Sequence, residues 1–269
     1  MPVAADVHVF PDLDGLAQAA AQRFVQDAHE AIGARGRFAV ALAGGATPQP
    51  LYRRLARPEW TGRLDWSKVH VFWGDERSVP PDDERSNYRM ARDVWLDHMA
   101  MPEENVHRML GEAEPHAAAA RYDDDLRAFF HDSARGSELH ATFDLVLLGL
   151  GEDGHTASLF PHTPAIVEQD RWVRAQYVQS VSMWRITLTP AAINRARDVL
   201  FLVAGARKAW RVKDVLEGPR VPEALPAQAI RPRDGRLSWF LDQSAGAHLR
   251  VGKSPTAPPP GPPNRRDSP

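Results

Sequence analysis

Five short runs rich in apolar and β-branched residues punctuate the chain: Val7 to Phe10, Phe38 to Leu42, Val69 to Trp73, Leu145 to Leu148 and Val199 to Val203. The run Leu145-Val146-Leu147-Leu148 is apolar without alternation, as in a strand covered on both faces. Helical spacing fills the segments between. From Leu13 to Ile32, Leu16, Ala20, Phe24, Ala28 and Ile32 line one face, and Gly33 is placed to end the helix. Ala113 to Phe130 predicts a second long helix, and Ala206 to Glu217 a third, stopped by Gly218-Pro219. Strands separated by helices define an α/β class: a mostly parallel open sheet with helices on both faces, in a Rossmann-like single domain.

A chain of 269 residues can bury one sizeable core, and neither a dividing linker nor an internal repeat is visible. A single α/β domain is expected over residues 1–253. From Ser254 the sequence becomes SPTAPPPGPPNRRDSP, which lacks apolar periodicity, so residues 254–269 are expected to form a disordered tail.

Composition narrows the class further. A formal net charge of -2 with no long basic run gives no electrostatic reason to bind nucleic acid or an anionic membrane. The absence of cysteine excludes disulfides, thiolate metal sites and a cysteine nucleophile, and is compatible with a reducing compartment. No signal peptide and no apolar stretch of membrane-spanning length is visible, so a cytoplasmic soluble protein is the reading. The oligomeric state is left open.

Open parallel sheets gather ligands beyond the carboxyl ends of their strands, so the loops there are the place to look for chemistry. After Phe38 to Leu42 comes Ala43-Gly44-Gly45-Ala46-Thr47-Pro48, then a short helical pattern through Leu51, Tyr52 and Leu55. Thr47 can cap that helix and Pro48 suits its first turn. Free amides at such a start attract phosphate or carboxylate, although a tight turn without a ligand reads equally well. After Val69 to Trp73 the loop Gly74-Asp75-Glu76-Arg77-Ser78 continues to Ser86-Asn87-Tyr88. Asp75 and its neighbour Glu76 could orient polyol hydroxyls while Arg77 holds an anion.

The third loop, GLGEDGHTASLFP from Gly149 to Pro161, carries the most chemistry. Its glycines match GxGxxG, yet Pro161 and Pro164 interrupt any following helix, and Glu168 and Asp170 come too early to hold a ribose. Dinucleotide binding is therefore disfavoured. His155 suits proton transfer, with Asp153 two residues away to orient it or to bind substrate. Arg185 and Lys208, the latter just after Val199 to Val203, would complete a phosphate pocket with Gly44 and Gly45.

Taken in order, AGGATP, FWGDER with SNY, GLGEDGHTASLFP and GARKA resemble the motifs of the 6-phosphogluconolactonases, a family related to the glucosamine-6-phosphate deaminases. The resemblance runs from about Phe38 to Phe240. It implies hydrolysis of 6-phosphoglucono-δ-lactone to 6-phosphogluconate in the pentose phosphate pathway, with a small sugar-phosphate lactone as partner and no cofactor or required metal. It also implies His155 as general base, with Gly44, Gly45, Arg77, Arg185 and Lys208 to bind phosphate or stabilise charge; the loops themselves add Asp153 as a catalytic candidate and Thr47 and Asp75 as candidates for binding substrate. Two positions depart from simple expectation. Ala43 stands where the family commonly has serine, which puts a hydroxyl contact in doubt but not the amides. Phe160 stands where the deaminases carry a glutamate, which favours the lactonase. The alternatives are a deaminase or isomerase of amino sugar phosphates, and a sugar-phosphate-binding regulator without turnover.

Overall fold

The computed structural model describes residues 5–134 and 142–250. The chain enters through β1 (Asp6–Phe10) and α1 (Leu13–Arg35), then β2 (Phe38–Leu42), α2 (Gln49–Leu55), α3 (Pro58–Thr61) and β3 (Val69–Trp73). A short strand β4 (Asp75–Arg77), α4 (Asn87–Val94) and α5 (Pro115–Ala134) precede β5 (Leu145–Leu148). There follow β6 (Val173–Val178), β7 (Met183–Leu188), α6 (Pro190–Ile193), β8 (Asp198–Val203), α7 (Ala209–Glu217) and β9 (Arg236–Asp242).

Two sheets result. The larger is all parallel, ordered β1-β9-β8-β5-β2-β3, and the smaller is antiparallel, ordered β4-β7-β6. The predicted parallel α/β sheet is present, and all five predicted strands lie in it. Its sixth strand, β9, and the whole small sheet were not anticipated.

Alternation along the parallel strands divides the core into two layers. Phe38, Val40 and Leu42 of β2 face α1, α2 and the buried Trp60, Trp66 and Trp95, while Ala39 and Ala41 face the layer holding α5, α7 and the small sheet. Helix α1 starts where the Asp12 carboxylate accepts from the Gly15 amide at 2.8 Å. It does not stop at Gly33, as its sequence suggested, but runs to Arg35. Gly36, with φ 78°, supplies the left-handed turn that ends it, and its amide returns to the Ile32 carbonyl.

At the amino ends of β8 and β9, opposite the functional loops, Asp27 of α1 and Asp198 are buried together against Arg23 and Arg236. Burial pushes the Asp27 carboxyl up to about 7; its attraction to Arg23 opposes that rise and repulsion from Asp198 adds to it. The expected tail falls outside the described residues. Among those residues no helix is long and apolar enough to cross a membrane.

Candidate active site

A cleft of about 390 Å³ opens beyond the carboxyl ends of β2, β5 and β8, and Gly44, Gly45, Thr47, Asp75, Arg77, His155, Arg185 and Lys208 all line it. Asp153 braces it from behind His155. The loops singled out in the sequence therefore converge on one space.

The loop after β2 is fixed from below by Tyr52. The buried phenol donates to the Ala43 carbonyl at 2.8 Å and accepts from the Ala43 amide at 3.1 Å, so the backbone at Ala43 is held without a side-chain hydroxyl. Burial pushes the Tyr52 phenol far above its usual range. Gly44 is required by packing: a Cβ there would lie 2.0 Å from Asn87 Oδ1. Gly45, at φ 87°, needs the left-handed region. Thr47 lines the cleft but does not cap α2, whose amino end has no side-chain cap because the helix begins only at Gln49.

The second segment is a strand rather than a loop. Asp75, Glu76 and Arg77 form β4 and pair in register with Thr187, Ile186 and Arg185 of β7. Arg77 and Arg185 thus stand side by side, and the Nε of each is buried without a hydrogen-bond partner. Burial pushes the Arg185 guanidinium down, and Arg77 adds to the effect. Two such cations facing a cleft form a site for an anion. Asp75, expected to meet substrate hydroxyls, lines the cleft with both carboxylate oxygens engaged by neighbouring side chains. Its Oδ2 accepts from Ser158 Oγ at 2.6 Å and its Oδ1 from Asn87 Nδ2 at 3.2 Å. Glu76 is also committed, accepting from the amides of Asn87 and Tyr88 at 2.7 and 2.8 Å and so securing the start of α4.

The loop after β5 holds His155. Its Nδ1 lies 2.6 Å from Asp153 Oδ1, which also accepts the His155 amide at 3.1 Å. Burial opposes ionisation of Asp153, but the hydrogen bond and charge of His155 outweigh it, leaving the carboxyl below its ordinary range. An ionised Asp153 accepts a hydrogen bond from Nδ1–H, so the proton of a neutral His155 stays on Nδ1 and Nε2 is left unprotonated. One face of the imidazole is covered by Phe160, with ring centroids 4.1 Å apart. The other side lies against Gly151, where a Cβ would come within 2.0 Å of Nδ1.

The loop after β8 turns at Gly205, with φ 99° and its amide donating to Asp242 at 3.0 Å. One tight helical turn, Ala206–Lys208, then leads into α7. Lys208 forms no ion pair among the described residues, and burial pushes its ammonium down against the opposing pull of Glu152 and Asp153. Arg207 also lines the cleft and pairs with Glu152 at 3.3 Å, a contact the sequence reading missed. Asn87 and Ser158 were missed as well. Both sat inside quoted motifs, but only the three-dimensional pairing reveals what they hold.

This is an α/β enzyme fold with an acid-base loop and a cationic wall facing one cleft. A family model described as glucosamine-6-phosphate isomerases/6-phosphogluconolactonase matches residues 11–239. A 6-phosphogluconolactonase of Synechocystis sp. is 47% identical over 222 residues, covering 82% of this chain and 88% of the relative. One of Mycobacterium tuberculosis is 39% identical over 253 residues, covering 92% and 99%. The structure of 6-phosphogluconolactonase from Trypanosoma brucei superposes with a TM-score of 0.79 at 30% identity, covering 92% of this chain and 99% of that one. The chain belongs to the glucosamine-6-phosphate isomerase/6-phosphogluconolactonase family, and is an enzyme of its lactonase type.

Proposed function

We propose that this enzyme hydrolyses the ester of 6-phosphoglucono-δ-lactone to 6-phosphogluconate with His155 as its general base. The observation that carries this reading is the 2.6 Å contact between His155 Nδ1 and Asp153, which leaves Nε2 as the acceptor at the cleft. Nε2 takes a proton from water as that water attacks the lactone carbonyl. The carbonyl oxygen becomes an oxyanion stabilised by the amides and cations of the cleft. Collapse of the tetrahedral intermediate breaks the bond to the ring oxygen, which receives the proton back from Nε2.

The phosphate is held by the amides of Gly44 and Gly45 together with Arg185 and Lys208, with Arg77 beside them. Burial lowers the pKa of both Arg185 and Lys208, so a bound dianion would offset the desolvation that disfavours their charges. Phe160, flat against the imidazole, supplies an apolar cover where a deaminase would have a carboxylate. No step in this scheme calls on a cofactor or a metal.

The test is acid release from the lactone at a pH low enough to suppress spontaneous opening. The protein is expected to exceed the background rate, and His155→Ala is expected to fold and to lose about 100-fold or more in turnover. Near-parent turnover by the folded variant would remove His155 from the mechanism, and no excess rate from the parent would remove the lactonase reading.

A further inference from the structure

One face of the small sheet is a polar grid. Asp75 pairs with Thr187, and Arg77 and Gln176 both pair with Arg185. Directly paired residues share a face, as do residues two apart on a strand. Asp75, Arg77, Gln176, Arg185 and Thr187 therefore project together, while Ile186, Leu188, Val173 and Ala175 belong to the apolar core.

Ser158 sits on this grid with every polar group engaged. Its Oγ donates to Asp75 Oδ2 at 2.6 Å, its amide donates to Thr187 Oγ1 at 3.1 Å, and its carbonyl accepts from Gln176 Nε2 at 2.6 Å. The three partners come from β4, β7 and β6, so one residue is tied to every strand of the small sheet. Ser158 is 1% exposed, and Asp75 is held on its other oxygen by Asn87, so the anchor has little freedom.

The residue just before it explains why such an anchor is needed. Ala157 has φ 47°, in the left-handed region that an L side chain rarely occupies, and such a kink persists only where its surroundings enforce it. Across the kink lie His155 on one side and Phe160, its stacking partner, on the other.

We propose that Ser158 is a positioning residue for the hydrolysis: its three hydrogen bonds lock the Ala157 kink to the small sheet and so fix His155 relative to Arg77 and Arg185. Asp75 acts through Ser158 rather than on the substrate. This rests on the function proposed above, because it assigns no chemistry of its own.

The test compares Ser158→Ala, Ser158→Ala with Ala157→Gly, and the parent, using 6-phosphoglucono-δ-lactone kinetics, thermal melting and the imidazole NMR signals of His155, assigned by their loss in His155→Gln. Ser158→Ala is expected to melt cooperatively, to lose about tenfold or more in kcat and to keep KM within about twofold, since displacement of a reacting group penalises the chemical step. Adding Ala157→Gly, which removes the cost of the left-handed conformation, is expected to restore roughly a third or more of kcat and to return the His155 signals toward those of the parent. Should Ser158→Ala fail to fold, Thr187→Val removes a single tether and is expected to show the same split between kcat and KM. An unchanged kcat, a loss carried by KM, absence of rescue by glycine, or unmoved His155 signals would each overturn the proposal. A parent without lactonase activity would count against the functional reading instead, and the NMR comparison would still decide the positioning role.

Discussion

Phe160 lies flat against His155, with ring centroids 4.1 Å apart and the planes 20° from parallel. Together with the Asp153 hydrogen bond, this contact leaves the imidazole one orientation. Phe160→Ala is expected to lower kcat about tenfold with KM close to the parent's, because the freed ring would spend less time aligned for attack. Phe160→Tyr, which keeps the ring, is expected to stay near the parent. Steady-state kinetics on the lactone decides it: full turnover by the alanine variant would show that the stacked ring is dispensable.

Arg185 and Lys208 are both held below their ordinary pKa by burial and have no ion-pair partner among the described residues. Each is expected to contribute to binding rather than to bond breaking. Arg185→Ala and Lys208→Ala should each raise KM for the phosphorylated lactone by about tenfold, equivalent to about 1.4 kcal/mol. Neither should change activity on unphosphorylated glucono-δ-lactone. If both variants keep the parent's KM, the phosphate assignment fails.

Gly44 is packed against Asn87 so closely that an added methyl would lie 2.0 Å from Asn87 Oδ1. Gly44→Ala must displace either the glycine loop or the amide that holds Asp75. A cost of about 1–3 kcal/mol in stability is expected, as for other overpacked sites. A rise in KM should accompany it. Chemical denaturation and kinetics on the same preparation test this, and a variant unchanged in both would contradict the packing.

The Asp27 carboxyl, buried beside Asp198, is pushed up to about 7. A carboxyl whose pKa is higher folded than unfolded favours the folded state while protonated, and that contribution disappears as pH rises through the folded value. Stability from this group is therefore present below about pH 4 and lost between about 4 and 7. Asp27→Asn keeps an acceptor for Arg23 and Arg236 without the titration. Its denaturation midpoint is expected to gain on the parent's as pH rises across that interval. A constant difference between the two proteins would show that Asp27 does not titrate there.

Much of the parallel sheet could be read directly because β2, β3, β5 and β8 are dominated by apolar residues. Burial on two faces leaves that signature in the chain itself. By contrast, β9 is interrupted by Ser238 and bounded by charged residues, so its buried centre is masked. Strand β4 is three charged residues, and nothing local marks it as a strand. Its conformation comes from pairing with β7, a contact between segments more than a hundred residues apart. The helix stop at Gly33 was misplaced for a related reason: glycine tolerates several conformations, and only Gly36 occupies the left-handed one. At the site, motifs identified which residues converge. They could not reveal that the Asp75 carboxylate is engaged within the protein, because that depends on Ser158 arriving from 83 residues away.

Gly151 has no side chain, and His155 occupies the volume that one would take. His155 is thus seated in a gap left by its own loop. Gly151 is itself buried, and a Cβ there would come within 2.0 Å of His155 Nδ1 and 2.5 Å of Asp153 Oδ1, so any replacement would press directly on that pair. For protein engineering, position 151 is one to leave as glycine while its neighbours are varied.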